Sequence, residues 1–189
     1  FWRRAAPDVQ VDGDKCRLIF RAAFSGDNAA LRPLESSVLQ LVSLAKQAGF
    51  GVLVTETTEE WARIVDHFDV EVPRDLYKGT DRTAEAIDLA RRVLRISNET
   101  CAARIDFDDM IYAPLLHNAK VWAHDWVLVD EAQDTNATRR ALALRMLKRG
   151  GRLVAVGDPH QAIYGFTGAD SDALDLIGEA VNATRLPLT

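Results

Sequence analysis

Cysteine is nearly absent from the 189 residues: Cys16 and Cys101 stand far apart, with no CxxC pair and no Cys/His cluster. That excludes a disulfide framework and a zinc site of the usual spacing, and it makes a reduced, intracellular compartment the expectation. The histidines His67, His117, His124 and His160 show no metal-ligand spacing either. No run approaches the roughly 18 uninterrupted apolar residues that a membrane span needs, and the N-terminus has no signal-peptide pattern, so a soluble protein without a membrane partner is expected. Positive charge is in deficit, with 23 Lys and Arg against 28 Asp and Glu for a formal charge of -5. Such a chain has no global field drawing it to nucleic acid, and contact with a phosphate backbone would need a local patch. Internal repeats and low-complexity tracts are missing as well.

What is present is ordinary apolar content, 48% of residues, enough to bury the core of one domain or of one domain carrying an insertion. The chain opens at Phe1 rather than Met and closes on "TRLPLT" after a helix-like segment, so a fragment of a longer polypeptide is expected.

From Asp12 to about Leu116 the patterns are helical. In "ESSVLQLVSLAKQAGFG", Val38, Leu41, Val42, Ala45 and Ala48 recur at three- and four-residue spacing, and Gly49 follows where a helix C-terminus favours glycine. "TTEEWARIVDHF" opens with Thr57 or Thr58 ahead of Glu59 and Glu60, an N-cap with acids in the first turn, and puts Trp61, Ile64, Val65 and Phe68 on one side. Pro73 and Gly79 interrupt the pattern with a surface loop. Helix resumes through "DRTAEAIDLARRVLRIS", where Arg82, Arg91, Arg92 and Arg95 form a basic face. A phosphate chain could use that face, but a solvated helix surface is the commoner meaning of such a pattern.

After Asn118 the texture changes. Val127 to Val129 and Leu153 to Val156 are short continuous apolar runs that end in acid and glycine, a pattern that suits parallel strands covered on both faces. The intervening "TNATRRALALRMLKRGG" is long enough for a crossover helix, with Gly150 and Gly151 at its end. The fold class is therefore α/β, a largely helical part followed by a β-α-β unit.

In open α/β sheets ligands sit beyond the carboxyl ends of parallel strands, and these two deliver Asp130, Glu131 and Asp158 there. Adjacent residues at a strand end diverge, so Asp130 and Glu131 can serve two objects. An aspartate suits Mg²⁺ bound together with substrate phosphates, and a longer glutamate can deprotonate a water for in-line attack on a phosphate. By themselves the acids could equally cap the helix that follows near Asn136.

"VLVDEAQDTN" followed by "VGDPHQAIYGFTGA" resembles motifs II and III of superfamily 1 DNA helicases of the UvrD/Rep type, and "IDFDDMIYAPLL" resembles the helix that precedes motif II there. The resemblance implies a RecA-like P-loop NTPase sheet with a helical insertion. Residues 1–120 would hold the insertion-like region with flanking helices, and 121–189 the core segment. It implies ATP and Mg²⁺ as cofactors, with Asp130 on the metal, Glu131 as catalytic base, Gln133, Asp134 and Asp158 around the nucleotide, and Gln161 sensing the γ-phosphate. Asp134 as a mere cap of the next helix stays open. Tyr164, Gly165, Phe166 and Gly168 would face single-stranded DNA, the rings stacking on bases and the glycines allowing close approach. Without the motif, two such rings would more often be core. The implied activity is ATP-driven movement on single-stranded or duplex DNA, 3′ to 5′, within an intracellular protein of bacterial or phage origin.

The chain departs from the family in two ways. Phe166 and Thr167 stand where members commonly have Trp-Arg, and no GxxxxGK[ST] phosphate loop occurs in the 189 residues. The chain alone is accordingly expected to hydrolyse ATP negligibly and to depend on the rest of its polypeptide. A non-catalytic DNA- or protein-binding module is the competing class, and a Mg²⁺-dependent phosphohydrolase using Asp130 and Asp158 is a third, which leaves Gln161 and the glycine-aromatic run unexplained.

Overall fold

A computed structural model of the chain describes residues 8–24, 28–75, 78–161 and 172–186. Two compact units divide it, residues 1–119 and 120–189. The described residues mix helices with short parallel strand pairs.

The first unit runs β1 (Gln10–Val11), α1 (Lys15–Ala23), the short α2 (Asn28–Leu31), α3 (Glu35–Ala48), α4 (Thr58–His67), α5 (Thr83–Thr100), β2 (Arg104–Ile105) and α6 (Asp109–Leu116). β1 pairs with β2 in parallel, Val11 opposite Ile105. The helices start and stop where local chemistry requires. Thr57 Oγ1 accepts from the Glu60 amide at 3.2 Å to cap α4, and Gly49, at φ 80°, closes α3 by donating its amide to carbonyls of the last turn. The expected apolar faces pack together: Val38, Leu41, Val42 and Ala45 of α3 against Trp61 and Ile64 of α4 and Ala90, Val93 and Leu94 of α5. Each large side chain so buried contributes about 1.5–3 kcal/mol. The polar atoms of the buried aromatics are satisfied, Trp61 Nε1 donating to Glu56 Oε1 at 3.0 Å and Tyr112 OH to the Phe50 carbonyl at 2.8 Å.

Four charged residues close this core. Lys15 Nζ lies 2.6 Å from Asp109 Oδ2 and donates to the Ser97 carbonyl at 2.8 Å, while Lys46 Nζ lies 2.5 Å from Asp106 Oδ2 and 2.7 Å from Asp109 Oδ1. Asp106 and Asp109 also accept each other's backbone amides, at 2.8 and 3.1 Å, which fixes the start of α6. The expected basic face of α5 is partly occupied inside the unit. Arg82 pairs with Glu85, Arg91 donates to Thr58 Oγ1 at 3.0 Å, and the Arg92 guanidinium lies 4.6 Å from the Phe24 ring centroid. These contacts engage three of the four arginines within the unit.

The second unit runs β3 (His124–Val129), a 3₁₀ turn (Ala132–Asp134), α7 (Ala137–Arg145), β4 (Leu147–Ala155), a second 3₁₀ turn (Pro159–Gln161) and α8 (Ala173–Val181). β3 and β4 pair in parallel, Val127 opposite Leu153 and Val129 opposite Ala155, with α7 as the connection. Two expectations need correction. The crossover helix does not extend to Gly150 and Gly151; it ends at Arg145, and the "KRGG" stretch belongs to β4. There the register slips from His124 opposite Leu147 to Trp126 opposite Arg152, so extra residues on β4 bulge outward. Gly150 takes φ 79°, the left-handed conformation such a bulge demands. Nor are the strands covered on both faces among the described residues. Trp126, Leu128 and Val154 stay exposed, while Val127, Val129, Leu153 and Ala155 are half-buried, because two strands with α7 and α8 packed on β4 leave one face open.

Candidate functional site at the strand ends

The ladder continues past both strands: the Val156 amide donates to the Val129 carbonyl at 2.8 Å and the Ala132 amide to the Val156 carbonyl at 2.9 Å. This holds the segment after β3 directly against the segment after β4. Gly157 suits this closeness, since a Cβ there would displace Gln133 Oε1 and stand 3.1 Å from the Ala132 and Gln133 nitrogens.

Glu131 adopts φ 49°, ψ 45°, a left-handed conformation uncommon outside glycine that turns the chain from β3 into the 3₁₀ turn. Its amide donates to Asp130 Oδ1 at 3.0 Å. The turn brings Gln133 back, so that Gln133 Nε2 donates to Glu131 Oε2 at 2.7 Å. Gln133 Oε1 in turn accepts the Asp158 amide at 3.1 Å. On the far side, Asp158 Oδ2 accepts from Gln161 Nε2 at 2.9 Å, and the Gln161 amide donates to the Asp158 carbonyl at 3.0 Å. Hydrogen bonds from the His160 amide and then Gln161 hold the Asp158 carboxyl below the usual carboxylate range.

The structure thus joins Glu131, Gln133, Asp158 and Gln161 in one chain of hydrogen bonds, with Asp130 adjoining. Gln133 is buried, 4% exposed, whereas Asp130, Glu131 and Gln161 face solvent. Asp134 is nearby but does not cap α7. That role falls to Asn136, whose Oδ1 accepts the Arg139 amide at 3.0 Å, so the cap reading of Asp134 is set aside. Asp134 Oδ1 is buried without a hydrogen-bond partner among the described residues. Tyr164, Gly165, Phe166 and Gly168 lie outside the described residues. Gly157 was not singled out in the sequence; its signal is a glycine placed at a strand's end, immediately before the acid.

A hard divalent cation fits this donor set through Asp130, an exposed carboxylate that accepts one backbone hydrogen bond through Oδ1. Among the described residues no three metal-ligating side chains gather, so such a cation would draw its other ligands from phosphate oxygens and water, as Mg²⁺ commonly does.

A parallel strand pair joined by a helix, with carboxylates and amides presented at the strands' carboxyl ends, defines an α/β protein whose candidate site lies where such sheets place their ligands. Comparison with known proteins makes this specific. The chain belongs to the UvrD/REP helicase N-terminal domain family, which it matches over residues 18–181. It is 34% identical over 90 residues to the ATP-dependent DNA helicase Rep of Escherichia coli (strain K12), covering 43% of this chain and 13% of that protein. A probable DNA helicase II homolog of Mycoplasma capricolum is 38% identical over 78 residues, 37% of this chain and 11% of the relative. The RecBCD enzyme subunit RecB of Mycobacterium tuberculosis is 50% identical over 44 residues, 23% of this chain and 4% of that subunit. The matched part of this chain therefore spans no more than 13% of the length of any of these relatives.

Proposed function

We propose that the chain is part of the first motor domain of an ATP-dependent DNA helicase or translocase, moving on single-stranded DNA in the 3′ to 5′ direction. The observation that carries this is the hydrogen-bonded chain from Glu131 through Gln133 to Asp158 and Gln161, which faces the acids of one strand end toward the amide of the next. In this reading β3 and β4 are two strands of a RecA-like sheet, and residues 1–120 hold the helical insertion with its flanking helices.

Asp130 would hold Mg²⁺, which supplies charge neutralisation at the phosphates of bound ATP. Glu131 accepts the proton of the attacking water, and its exposure leaves room for that water. Asp134 and Asp158 lie around the nucleotide, and Gln133 belongs to that network through its bonds to Glu131 and the Asp158 amide rather than by touching the nucleotide itself. Gln161 presents an amide that can donate to a γ-phosphate oxygen, and losing that contact changes how the following segment is held. Tyr164 and Phe166 stack on bases, with Gly165 and Gly168 allowing the strand to approach. A non-catalytic DNA- or protein-binding module is favoured by one observation only, the absence of a GxxxxGK[ST] loop from these residues.

The deciding experiment measures DNA-stimulated ATP hydrolysis by the full-length polypeptide, wild type beside Glu131→Gln. Loss of a general base lowers turnover by about 10²–10⁴-fold with nucleotide binding retained. Unchanged turnover removes Glu131 from its role, and a full-length wild type that binds DNA without hydrolysing ATP establishes the non-catalytic reading. The isolated 189-residue chain is expected to release phosphate negligibly.

A further inference from the structure

A carboxylate that takes a proton from water must be aimed, and nothing about Glu131 itself aims it: the side chain is exposed and its backbone sits in the left-handed region. The aim comes from Gln133. We infer that Gln133 is the positioning residue for Glu131, a buried amide that clamps one carboxylate oxygen and is itself held in place by the end of the neighbouring strand. This rests on the role proposed above for Glu131.

Three features fix the clamp. Nε2 of Gln133 donates to Glu131 Oε2 at 2.7 Å, which engages one lone pair of that oxygen, fixes the plane of the carboxylate and leaves both lone pairs of Oε1 clear of this bond. The amide cannot turn over, because Oε1 of Gln133 accepts the Asp158 amide at 3.1 Å and a flipped group would set donor against donor. Gln133 is also only 4% exposed, so its amide is shielded from water on the protein side, and the missing Cβ of Gly157 makes the space into which its Oε1 reaches. Because Gln161 is bonded to Asp158 through both its backbone and its side chain, one buried amide ties the base to the strand end that carries the phosphate-sensing residue.

The test uses the full-length polypeptide with Gln133→Met, which keeps the volume and removes both hydrogen bonds, and Gln133→Glu, which keeps the acceptor for the Asp158 amide and removes the donor to Glu131. Both are made in the wild-type and Glu131→Gln backgrounds, with kcat, KM for ATP, binding of a non-hydrolysable ATP analogue and single-turnover phosphate release as readouts. Loss of a hydrogen bond to a charged group predicts a fall in kcat of at least about tenfold for both variants, with KM and analogue binding within about threefold of wild type. In the Glu131→Gln background neither variant lowers the residual rate further, since the residue through which Gln133 acts is already disabled. A wild-type kcat in Gln133→Met overturns the inference, and so does an equal loss in both backgrounds, which is the result of a purely structural role. Wild-type turnover in Glu131→Gln alone overturns the underlying functional reading, and is recognised separately because it needs no change at Gln133.

Discussion

The two units spend the same residue types differently. In the first, Asp106 and Asp109 face Lys15 and Lys46 inside the core, with the lysine side chains 1% and 0% exposed. Burial pushes Asp106 up, but Lys46 beside it prevails and holds the carboxyl below the usual range. Burial likewise disfavours the Lys46 charge, and the Cys16 sulfur with the two carboxylates outweighs it. Cys16, pushed up by burial to about 12, stays a thiol within this cluster. In the second unit, Asp130, Glu131 and Asp158 have no lysine partner among the described residues; an amide or a backbone N–H holds each of them. The difference lies in the partner. A buried cation neutralises a carboxylate and withdraws it from chemistry, whereas a neutral amide fixes its direction and leaves its charge available to a cation or a proton.

The largest test of this contrast is Lys46→Met. It leaves Asp106 and Asp109 buried beside one fewer cation, and breaking a buried pair in this way costs about 3–5 kcal/mol. Urea unfolding followed by helical signal should show it. A cost below about 1 kcal/mol would mean that the two carboxylates reach water, and the distinction between the units would collapse.

Next comes Gly157→Ala. A methyl group there pushes Gln133 Oε1 aside and crowds the turn amides, and overpacking of this kind costs about 1–3 kcal/mol. Under the function proposed above, it should also lower ATP turnover of the full-length polypeptide, because the displaced atom belongs to Gln133. Full turnover with an unchanged melting temperature would show that the strand ends need not approach so closely.

Helix caps are the point at which the units should not differ. Thr57 caps α4 in the first and Asn136 caps α7 in the second, through side-chain oxygens 3.2 and 3.0 Å from the amide three residues on. Thr57→Ala and Asn136→Ala should each cost about 1 kcal/mol in thermal unfolding. A much larger loss at Asn136 would assign it work in the site beyond capping.

The parts of this arrangement that were legible in the sequence are those written in neighbouring residues. The spacing of Val38, Leu41, Val42 and Ala45, with Gly49 after them, specifies α3; Thr57 ahead of Glu60 specifies the start of α4; the apolar runs ahead of Asp130 and Asp158 specify β3, the second half of β4 and the strand ends that carry the candidate site. What depends on distant residues was not legible. Lys46 meets Asp106 across 60 positions and Lys15 meets Asp109 across 94, and a lone lysine in a helical pattern gives no sign that it turns inward. Gly150 misled for a different reason: a positive φ is needed both after a helix and in a strand bulge, so the residue type announces the conformation without its setting. The bond from Gln133 to the Asp158 amide was hidden likewise, since it joins segments that only the strand register brings together.

The smallest effect is the sharpest control. Lys148 and Asp125 also form an ion pair, the lysine nitrogen 3.0 and 2.9 Å from the two oxygens of one carboxylate where Lys46 bridges two aspartates, but both side chains are exposed. Lys148 lowers the Asp125 carboxyl through its hydrogen bond and its charge, yet water already solvates both groups and replaces the partner when it is removed. Lys148→Met should therefore leave the unfolding transition where it is in wild type, and added salt should make no difference between the two proteins. Lys46→Met and Lys148→Met exchange the same residues, each within 3.0 Å of two carboxylate oxygens, and differ chiefly in burial. If both shift the transition alike, contact geometry governs these pairs; if only the first does, the cost comes from the carboxylates stranded away from water.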